Sequence, residues 1–366
     1  MLKRLYSELY QQVLQQRSKN ADDRDHNRYF YNENENTQDL IQCLADSLFE
    51  LQETVQIWLR DNANQTQESA ADKLTAISKL FSQANTPDEC VFWIESEGRD
   101  MRKIQFTLCP SDISGWLHDA LLADKGVTIL TSATMTNQSN GSEQEMYSYI
   151  AGNIGFSHYQ GDFATPKPSP FDYDHHAMMY CADDLPHPTK DKEEFIQMAC
   201  DRIIELIEVS HGSALILFTA KADLDAVYEE LSKRGLPYTI MRPYVGASQA
   251  DTLDSFRMQK NAVLLGTGAF WEGINLAGDV LTNVIIFKLP FPVPDPIIDA
   301  KIHAAKDGLM DVLVPEMVVK LKQGIGRLIR SESDKGIISV LDPRLSEAYH
   351  MSYSNRSIIP RADDSV

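Results

Sequence analysis

A glutamine and two arginines stand at helical spacing near the carboxyl end of the chain, in the run Q-G-I-G-R-L-I-R at 323–330. Gln323, Arg327 and Arg330 recur at intervals of four and three residues, which share one face of a helix. Arginine keeps its proton and offers forked donors to oxygens that gain negative charge, as those of a transferring phosphoryl group do. The three side chains are therefore candidates for stabilising charge during phosphoryl transfer.

The same run has a simpler interpretation, in which two basic residues lie on the solvated face of a helix. Gly324 and Gly326 argue against it, because glycine lowers helix propensity and is easier to explain where another group must approach closely. The sequence also contains no G-x-x-x-x-G-K-[ST] motif, the loop that cradles the β and γ phosphates in many nucleotide enzymes. We therefore interpret the chain as one half of a nucleotide-driven machine.

Two apolar runs end in small hydroxyl residues. T-S-A-T at 131–134 follows V-T-I-L, and Thr219, with Lys221 shortly after it, follows L-I-L-F. Ligand-facing residues of α/β sheets lie at such strand ends, and a helix start beside Thr219 could hold a phosphate. The alternatives stay open: an ordinary strand exit at Ser132 and Thr134, and an N-cap for the helix that follows Thr219.

A third strand end carries more chemistry, in the run G-T-G-A-F-W-E-G-I-N at 266–275. Its glycines allow close approach of the backbone to a ligand. Thr267 could bond a nucleic-acid phosphate, and Glu272 and Asn275 could orient a ribose hydroxyl or the guanidinium groups. The aromatic pair at 270–271 is either part of the core or a platform for a base, and burial is the simpler interpretation.

Composition limits the class of protein. The net charge of −19, from 34 basic and 53 acidic residues, argues against nucleic-acid binding by bulk electrostatics and leaves room only for a localised groove. No apolar run reaches the length of a membrane span, so we expect no membrane contact. The five cysteines include no C-x-x-C pair, which predicts reduced thiols, a cytoplasmic location and neither a zinc site nor an iron–sulfur cluster in this segment.

The pattern of elements changes along the chain. Leucine-rich stripes predict helices over 1–16, 38–60 and 68–83, and a hairpin is predicted at 90–108. The apolar run at 127–131 predicts a buried strand. Strands are then predicted near 177–181, 213–219, 238–241, 262–267, 282–288 and 336–341, and helices near 188–210, 221–234, 248–259, 297–308 and 313–331. This alternation predicts a parallel α/β sheet with crossover helices.

Four motifs in order carry a resemblance to a known family: T-S-A-T, G-T-G-A-F-W-E-G-I-N, L-P-F-P-V-P-D-P at 289–296 and Q-G-I-G-R-L-I-R-S. Together they resemble the C-terminal half of a DinG-type helicase, an XPD-like member of superfamily 2, over about 90–345. The resemblance implies a RecA-like fold of the P-loop NTPase type. It divides the chain into a helical arch-like insertion, the end of a first motor domain, a second RecA-like motor domain and a tail, at 1–88, 89–136, 137–350 and 351–366.

The resemblance also implies an activity: ATP-driven tracking along single-stranded DNA in the 5′-to-3′ direction, in the setting of DNA repair. The partners would be single-stranded DNA and the first motor domain that carries the P-loop. Residue roles follow motif by motif. The resemblance assigns charge stabilisation to Gln323, Arg327 and Arg330. It assigns contact with the nucleotide to Gly326, Glu272, Asn275 and Gly273, and contact with DNA to Thr219, Lys221, Thr267 and Gly268. Ser132 and Thr134 would couple the two motor domains.

Two departures from the family pattern matter. The family reads W-E-G-I-D where this chain has Asn275, so that a charge is lost there. The P-loop and the acidic box, which bind ATP and Mg²⁺ in the family, have no counterpart in these residues. We therefore expect this chain alone to be inactive, with the Mg²⁺ ligands supplied by the P-loop half.

Two other classes of function remain. The first is a non-enzymatic nucleic-acid-binding or regulatory module derived from a helicase, which the missing P-loop favours and the complete Q-x-x-G-R-x-x-R run disfavours. The second is a self-contained enzyme such as a nucleotide-sugar transferase. That enzyme would need its own ligand-binding half, and the first 120 or so residues are too helical and too poor in glycine to provide one.

Overall fold

A computed structural model of the protein describes most of the chain. The described residues are 1–19, 28–30, 35–62, 65–84, 89–97, 103–123, 126–136, 141–156, 161–167, 169, 171–244, 246, 248–272, 276, 278–329, 331 and 334–345. The chain forms two compact units, one of Met1–Gly115 with Val293–Gly308 and one of Trp116–Pro292 with Leu309–Val366.

The helices are numbered in chain order. They are α1 Leu2–Lys19, α2 Glu35–Asn62, α3 Gln65–Gln83, α4 Ser114–Leu117, α5 Glu143–Met146, α6 Ser148–Asn153, α7 Tyr173–His176, α8 Lys192–Val209, α9 Lys221–Lys233, α10 Gln249–Met258, α11 Pro296–Ala304 and α12 Val314–Ile325. The strands are β1 Arg28–Phe30, β2 Cys90–Glu97, β3 Lys103–Pro110, β4 Ala177–Cys181, β5 Ala214–Phe218, β6 Ile240–Met241, β7 Val263–Thr267, β8 Asn283–Ile286 and β9 Gly336–Val340.

The first unit contains helices α1, α2, α3 and α11 and a three-stranded antiparallel sheet in the order β1-β2-β3. The predicted hairpin is confirmed, since β2 and β3 pair along their whole length from Cys90 opposite Pro110 to Glu97 opposite Lys103. Apolar residues of α1 and α2, among them Leu9 and Ile41, form a core with Phe92 and Ile94 of β2. The predicted helices are also confirmed, because their leucine stripes bury themselves in this core.

The second unit contains a six-stranded sheet in the order β4-β9-β8-β5-β7-β6, in which every pairing is parallel. The prediction of a parallel α/β sheet is confirmed, and each strand lies within three residues of its predicted bounds. Alternate residues of β5 enter different cores: Leu215 and Leu217 pack with α12, and Ile216 and Phe218 pack with α8 and α9. Both faces of the sheet are covered, which is why its strands read as continuous apolar runs.

The predicted strand at 127–131 is wrong. The backbone there is irregular, and the side chains of Val127 and Ile129 are 90% and 82% exposed. A strand exists only through hydrogen bonds to a neighbouring strand, and none of the strands in the described part of the chain pairs with this segment. The Thr128 hydroxyl instead donates to the carbonyl of Leu121 at 2.9 Å. The apolar run therefore predicts a burial that Val127 and Ile129 do not show.

Candidate functional site

The carboxyl ends of β5 and β7 lie side by side. Phe218 and Thr267 are partners in the parallel ladder between the two strands, so Thr219 and Gly268 continue from adjacent strand ends. Thr219 and Thr267 are half-buried, and Gly268 is exposed with φ of +54°, a conformation that favours glycine. The structure thus brings together three of the residues for which the resemblance implies DNA contact.

The fourth of these residues, Lys221, is the exposed first residue of α9. The N-cap of that helix is Ala220, and no side chain caps it, so the interpretation of Thr219 as the N-cap is wrong. The first N–H groups of a helix have no intrahelical acceptor and carry partial positive charge. An uncapped helix start beside two threonines at strand ends can bind a phosphate oxygen.

A buried ion pair supports the first turn of α9, and the sequence analysis missed it. Lys288 Nζ donates to Asp223 Oδ2 at 2.7 Å, and the two side chains are 10% and 5% exposed. Lys192, which is about half exposed, lies 3.3 Å from the other carboxylate oxygen. Lys288 lies two residues beyond the end of β8, between the buried residues Phe287 and Leu289. A charge inside the apolar run I-I-F-K-L-P was therefore the available signal for a buried partner.

Trp271 lies at the centre of the site. It closes a short 3₁₀ turn, Gly268–Trp271, that follows β7 directly. Its side chain is 1% exposed, and its indole N–H donates to the carbonyl of Phe218 at 2.8 Å. The interpretation of the aromatic pair 270–271 as part of the core is confirmed, and a base platform at Trp271 is wrong because the ring is not accessible.

The prediction that Gln323, Arg327 and Arg330 share one helix face is wrong, because α12 ends at Ile325 instead of near 331. Gly326 is its C-cap, and tighter turns follow, with the N–H of Arg327 donating to the carbonyl of Gly324 at 3.2 Å. Gln323 is in the last turn of the helix, and Arg327 lies just beyond it. Both side chains are half-buried, whereas Arg330 lies outside the described residues. Glycine at the end of a helix is a common stop signal.

The buried carboxylate of Asp334 holds the chain just after the arginine segment. It accepts hydrogen bonds from the backbone N–H of Ser331 at 2.9 Å, from the Ser331 hydroxyl at 2.7 Å and from the N–H of Gly278 at 3.2 Å. Asp334 is 7% exposed. It therefore ties the segment after Arg327 to the loop that follows the 266–275 run.

We expect Asp334→Ala to lower the free energy of unfolding by about 2–3 kcal/mol, since hydrogen bonds to a charged group contribute about 1.5–3 kcal/mol each and water replaces some of them. Chemical denaturation measures the change. Asp279→Ala, an exposed carboxylate in the adjoining loop, is the matched control and should change stability by less than about 0.5 kcal/mol. Equal effects of the two substitutions on the free energy of unfolding would contradict the role of Asp334 in holding this segment.

The residues just after the T-S-A-T run contact the last turn of α12. Lys322 Nζ donates to the carbonyl of Thr136 at 3.3 Å, one residue before Gln323. Within the segment Ser132 is exposed and Thr134 is half-buried, and the N–H of Thr134 donates to the Ser132 hydroxyl at 3.3 Å. Thr136, which follows Ser132 and Thr134 closely in the chain, thus lies beside Lys322 in the last turn of α12.

The remaining predicted residues are placed in part. Glu272 is exposed, and its carbonyl accepts a hydrogen bond from Gln249 Nε2 at 3.2 Å. Gly273 and Asn275 lie outside the described residues.

The residues that the structure describes include no group of three or more His, Cys, Asp or Glu side chains that could hold a metal ion. Among the same residues, no helix has the length and apolar character needed to cross a membrane.

Comparison with known proteins agrees with this geometry. Residues 203–358, which include β5, β7, α12 and β9, match the family described as the helicase C-terminal domain. Over these residues the chain is similar to that family. Its relatives include proteins named DinG and YoaA, and the resemblance drawn from the four motifs is confirmed.

Two curated relatives show the extent of the similarity. The chain is 30% identical over 303 residues to a protein of Bacillus subtilis named 3′-5′ exonuclease DinG, an alignment that covers 80% of this chain and 32% of the relative. It is 27% identical over 315 residues to the ATP-dependent DNA helicase YoaA of Haemophilus influenzae, covering 83% of this chain and 46% of the relative. The chain thus spans between a third and a half of the length of these relatives.

A solved structure shares the fold. The Xpd4 structure from S. tokodaii superposes with a TM-score of 0.51 at 15% sequence identity, covering 87% of this chain and 56% of the other. At this identity the likeness concerns the fold alone. It confirms the predicted RecA-like arrangement of the parallel sheet.

Proposed function

We propose that the chain supplies the C-terminal portion of an ATP-dependent 5′-to-3′ DNA helicase. One observation carries the proposal. Thr219 and Thr267 stand at adjacent strand ends, and Trp271, in the turn after Thr267, packs on the helix end that bears Gln323. Candidate contacts to DNA and to a transferring phosphate are thereby joined in one compact unit.

In the nucleotide half of this function, Gln323, Arg327 and Arg330 face the γ-phosphate of ATP across a cleft formed with a P-loop-containing first motor domain. Gly326 lets the backbone turn there, and Glu272, Gly273 and Asn275 line the nucleotide. ATP is the substrate and Mg²⁺ the metal that neutralises its phosphates. The ligands of Mg²⁺ come from the P-loop half. The chain alone is inactive.

In the DNA half, the hydroxyl groups of Thr219 and Thr267 bind backbone phosphates of single-stranded DNA. Gly268 allows the strand to approach, and Lys221 adds a charge at the start of α9. The net charge of −19 confines such binding to this local site. Displacement assays with 5′-tailed and 3′-tailed duplexes test the direction of movement, and the 5′-tailed substrate should be the one that is unwound.

The domain arrangement is part of the proposal. Residues 1–88 form the arch-like insertion, 89–136 end the first motor domain, 137–350 form the second and 351–366 are a tail. Ser132 and Thr134 couple the two motor domains. The contact between Lys322 and Thr136 supports this role, since Thr136 lies two residues after Thr134 and Lys322 is on the helix that bears Gln323. The assembly acts in the cytoplasm and takes part in DNA repair.

The salt dependence of DNA binding tests the role of Lys221. Lys221→Ala should reduce the slope of log Kd against log salt for a dT oligomer by about 0.7, the value of one phosphate contact on a single strand. Lys233→Ala, at the opposite end of the same helix, should leave the slope unchanged. Fluorescence anisotropy from 50 to 300 mM salt provides the measurement, and equal slopes for the two variants would exclude Lys221 from the contact.

A non-enzymatic binding module is the second candidate, and the lack of a P-loop motif in the sequence favours it. Such a module would bind single-stranded DNA with the same affinity whether or not a complementary motor half and ATP are present. The proposed helicase portion instead changes its DNA affinity with the nucleotide.

A further inference from the structure

The indole of Trp271 contacts two parts of the site at once. Its N–H donates to the carbonyl of Phe218, the residue directly before Thr219, at 2.8 Å. Its backbone lies four residues beyond Thr267 in the tight turn that follows β7. Displacement of these two strand ends therefore moves the indole, because breaking the buried hydrogen bond would leave a buried donor and acceptor unpaired at a cost in free energy.

The opposite edge of the indole meets α12. A Cβ atom at position 324 would lie 2.9 Å from Cζ3 and 3.0 Å from Cε3 of Trp271, and 3.2 Å from Cδ1 of Leu217. Only glycine allows this approach without displacement of the ring. Gly324 lies between Gln323 and Arg327, which explains why the helix tolerates a glycine in its last turn.

Two further contacts involve the turn that carries Trp271 and the ring itself. Gln249 Nε2 donates to the carbonyls of Ala269 and Glu272, at 2.9 and 3.2 Å, and so clamps the turn from outside. Lys320 Nζ lies 5.7 Å from the centre of the ring. The ring is thus held between the strand ends and the helix, and cannot relax alone when either one moves.

We propose that Trp271 is a positioning residue that couples occupancy of the DNA site to the placement of Gln323 and Arg327. A strand of DNA on Thr219 and Thr267 shifts the strand ends, the shift moves the indole, and the indole moves Gly324. The inference rests on the proposed function, and it adds a residue that touches neither ligand. The coupling is reciprocal, so that bound nucleotide changes DNA affinity by the same factor.

The test measures that factor in this chain assembled with a P-loop-containing motor half. The Kd of a fluorescein-labelled dT oligomer is determined with and without a non-hydrolysable ATP analogue. The ratio should be at least about 5 for the unmodified chain, the lower end of common coupling factors. Trp271→Phe, which removes the N–H, and Gly324→Ala, which crowds the intact indole, should both bring the ratio below about 2.

Trp93→Phe is the matched control, because Trp93 is another buried indole with a hydrogen bond, to Glu95 Oε1 at 2.7 Å, in the other unit. It should keep the unmodified ratio although it loses a comparable contact. Circular dichroism checks that each variant is folded. Trp271→Phe and Gly324→Ala alter the two partners of the same contact between the indole and α12.

Two results separate this inference from the function on which it rests. An unmodified ratio retained by folded Trp271→Phe or Gly324→Ala would overturn the coupling role and leave the helicase proposal standing. An unmodified assembly that binds both ligands with a ratio of 1 would overturn the inference and would also favour the non-enzymatic binding module over the helicase portion. Failure of the unmodified assembly to bind single-stranded DNA at all would overturn the proposed function and the inference together.

Discussion

Arg327→Ala is expected to slow ATP hydrolysis by the assembled motor by about 10³–10⁵-fold, the contribution of arginine fingers in phosphoryl transfer. Arg327 follows the end of α12 directly and is half-buried, so its side chain is partly held before any nucleotide arrives. Pre-positioned charge stabilises the transition state more than it stabilises bound ATP. The loss should therefore appear in kcat of the chain assembled with a P-loop half.

Two further variants define the cause of that loss. Arg327→Lys keeps the charge but lacks the planar fork of donors, and should recover only a small part of the rate. Arg257→Ala removes an exposed arginine that pairs with Asp254 on α10, and should leave turnover unchanged. A full rate for Arg327→Ala, or equal losses for Arg327→Ala and Arg257→Ala, would remove Arg327 from the proposed chemistry.

Asp223→Ala is expected to lower the free energy of unfolding by about 3–5 kcal/mol, because it leaves the ammonium group of Lys288 buried without its carboxylate. Nζ of Lys288 lies 5.6 Å from the ring centre of Phe195 and 5.6 Å from that of Phe287, and neither ring provides a comparable acceptor. The first turn of α9 should loosen, and binding of single-stranded DNA should weaken with it. Urea denaturation measures the change in stability.

The neighbouring groups offer matched controls. Lys192→Ala removes the more exposed partner of Asp223 and should change stability by less than about 1 kcal/mol. The double substitution Asp223→Leu with Lys288→Met replaces the pair by apolar groups, and should recover most of the loss because no charge is left buried. If the double variant were as unstable as Asp223→Ala, an unpaired lysine could not be the cause.

The sequence predicted most of the second unit, because buried parallel strands are written as continuous apolar runs. β5 reads A-L-I-L-F and is buried at every residue, and β8 behaves in the same way. Hydroxyl residues that follow two neighbouring parallel strands lie near each other, because such strands end at one edge of the sheet. Thr219 and Thr267 do meet there.

The errors have physical causes that local sequence does not reveal. The run at 127–131 has the composition of a buried strand, but a strand also requires a neighbour to which it can hydrogen-bond, and composition cannot name one. The spacing of Gln323 and Arg327 suits a helix, yet two glycines and the turn fixed by Asp334 end the helix between them. Spacing therefore placed Gln323 and Arg327 on a single helix, whereas the helix ends between them.

The missed residues depend on contacts between positions far apart in the chain. Asp223 and Lys288 are 65 residues apart, and Asp334 and Gly278 are 56 apart. Each pair consists of an ordinary polar residue and a partner that only the folded sheet brings close. Trp271 was recognised as a candidate for burial, but its contact with Gly324 could be found only from the packing of α12 on β5.

Hydrolysis of ATP in the presence of single-stranded DNA tests the central claim most directly. Three samples are compared: this chain alone, a separately expressed P-loop-containing motor half of the same family, and a mixture in which the two are shown to associate. The account predicts turnover in the mixture only, stimulated by single-stranded DNA and lost with Arg327→Ala. Robust turnover by this chain alone, or silence of a folded and associated mixture, would contradict it.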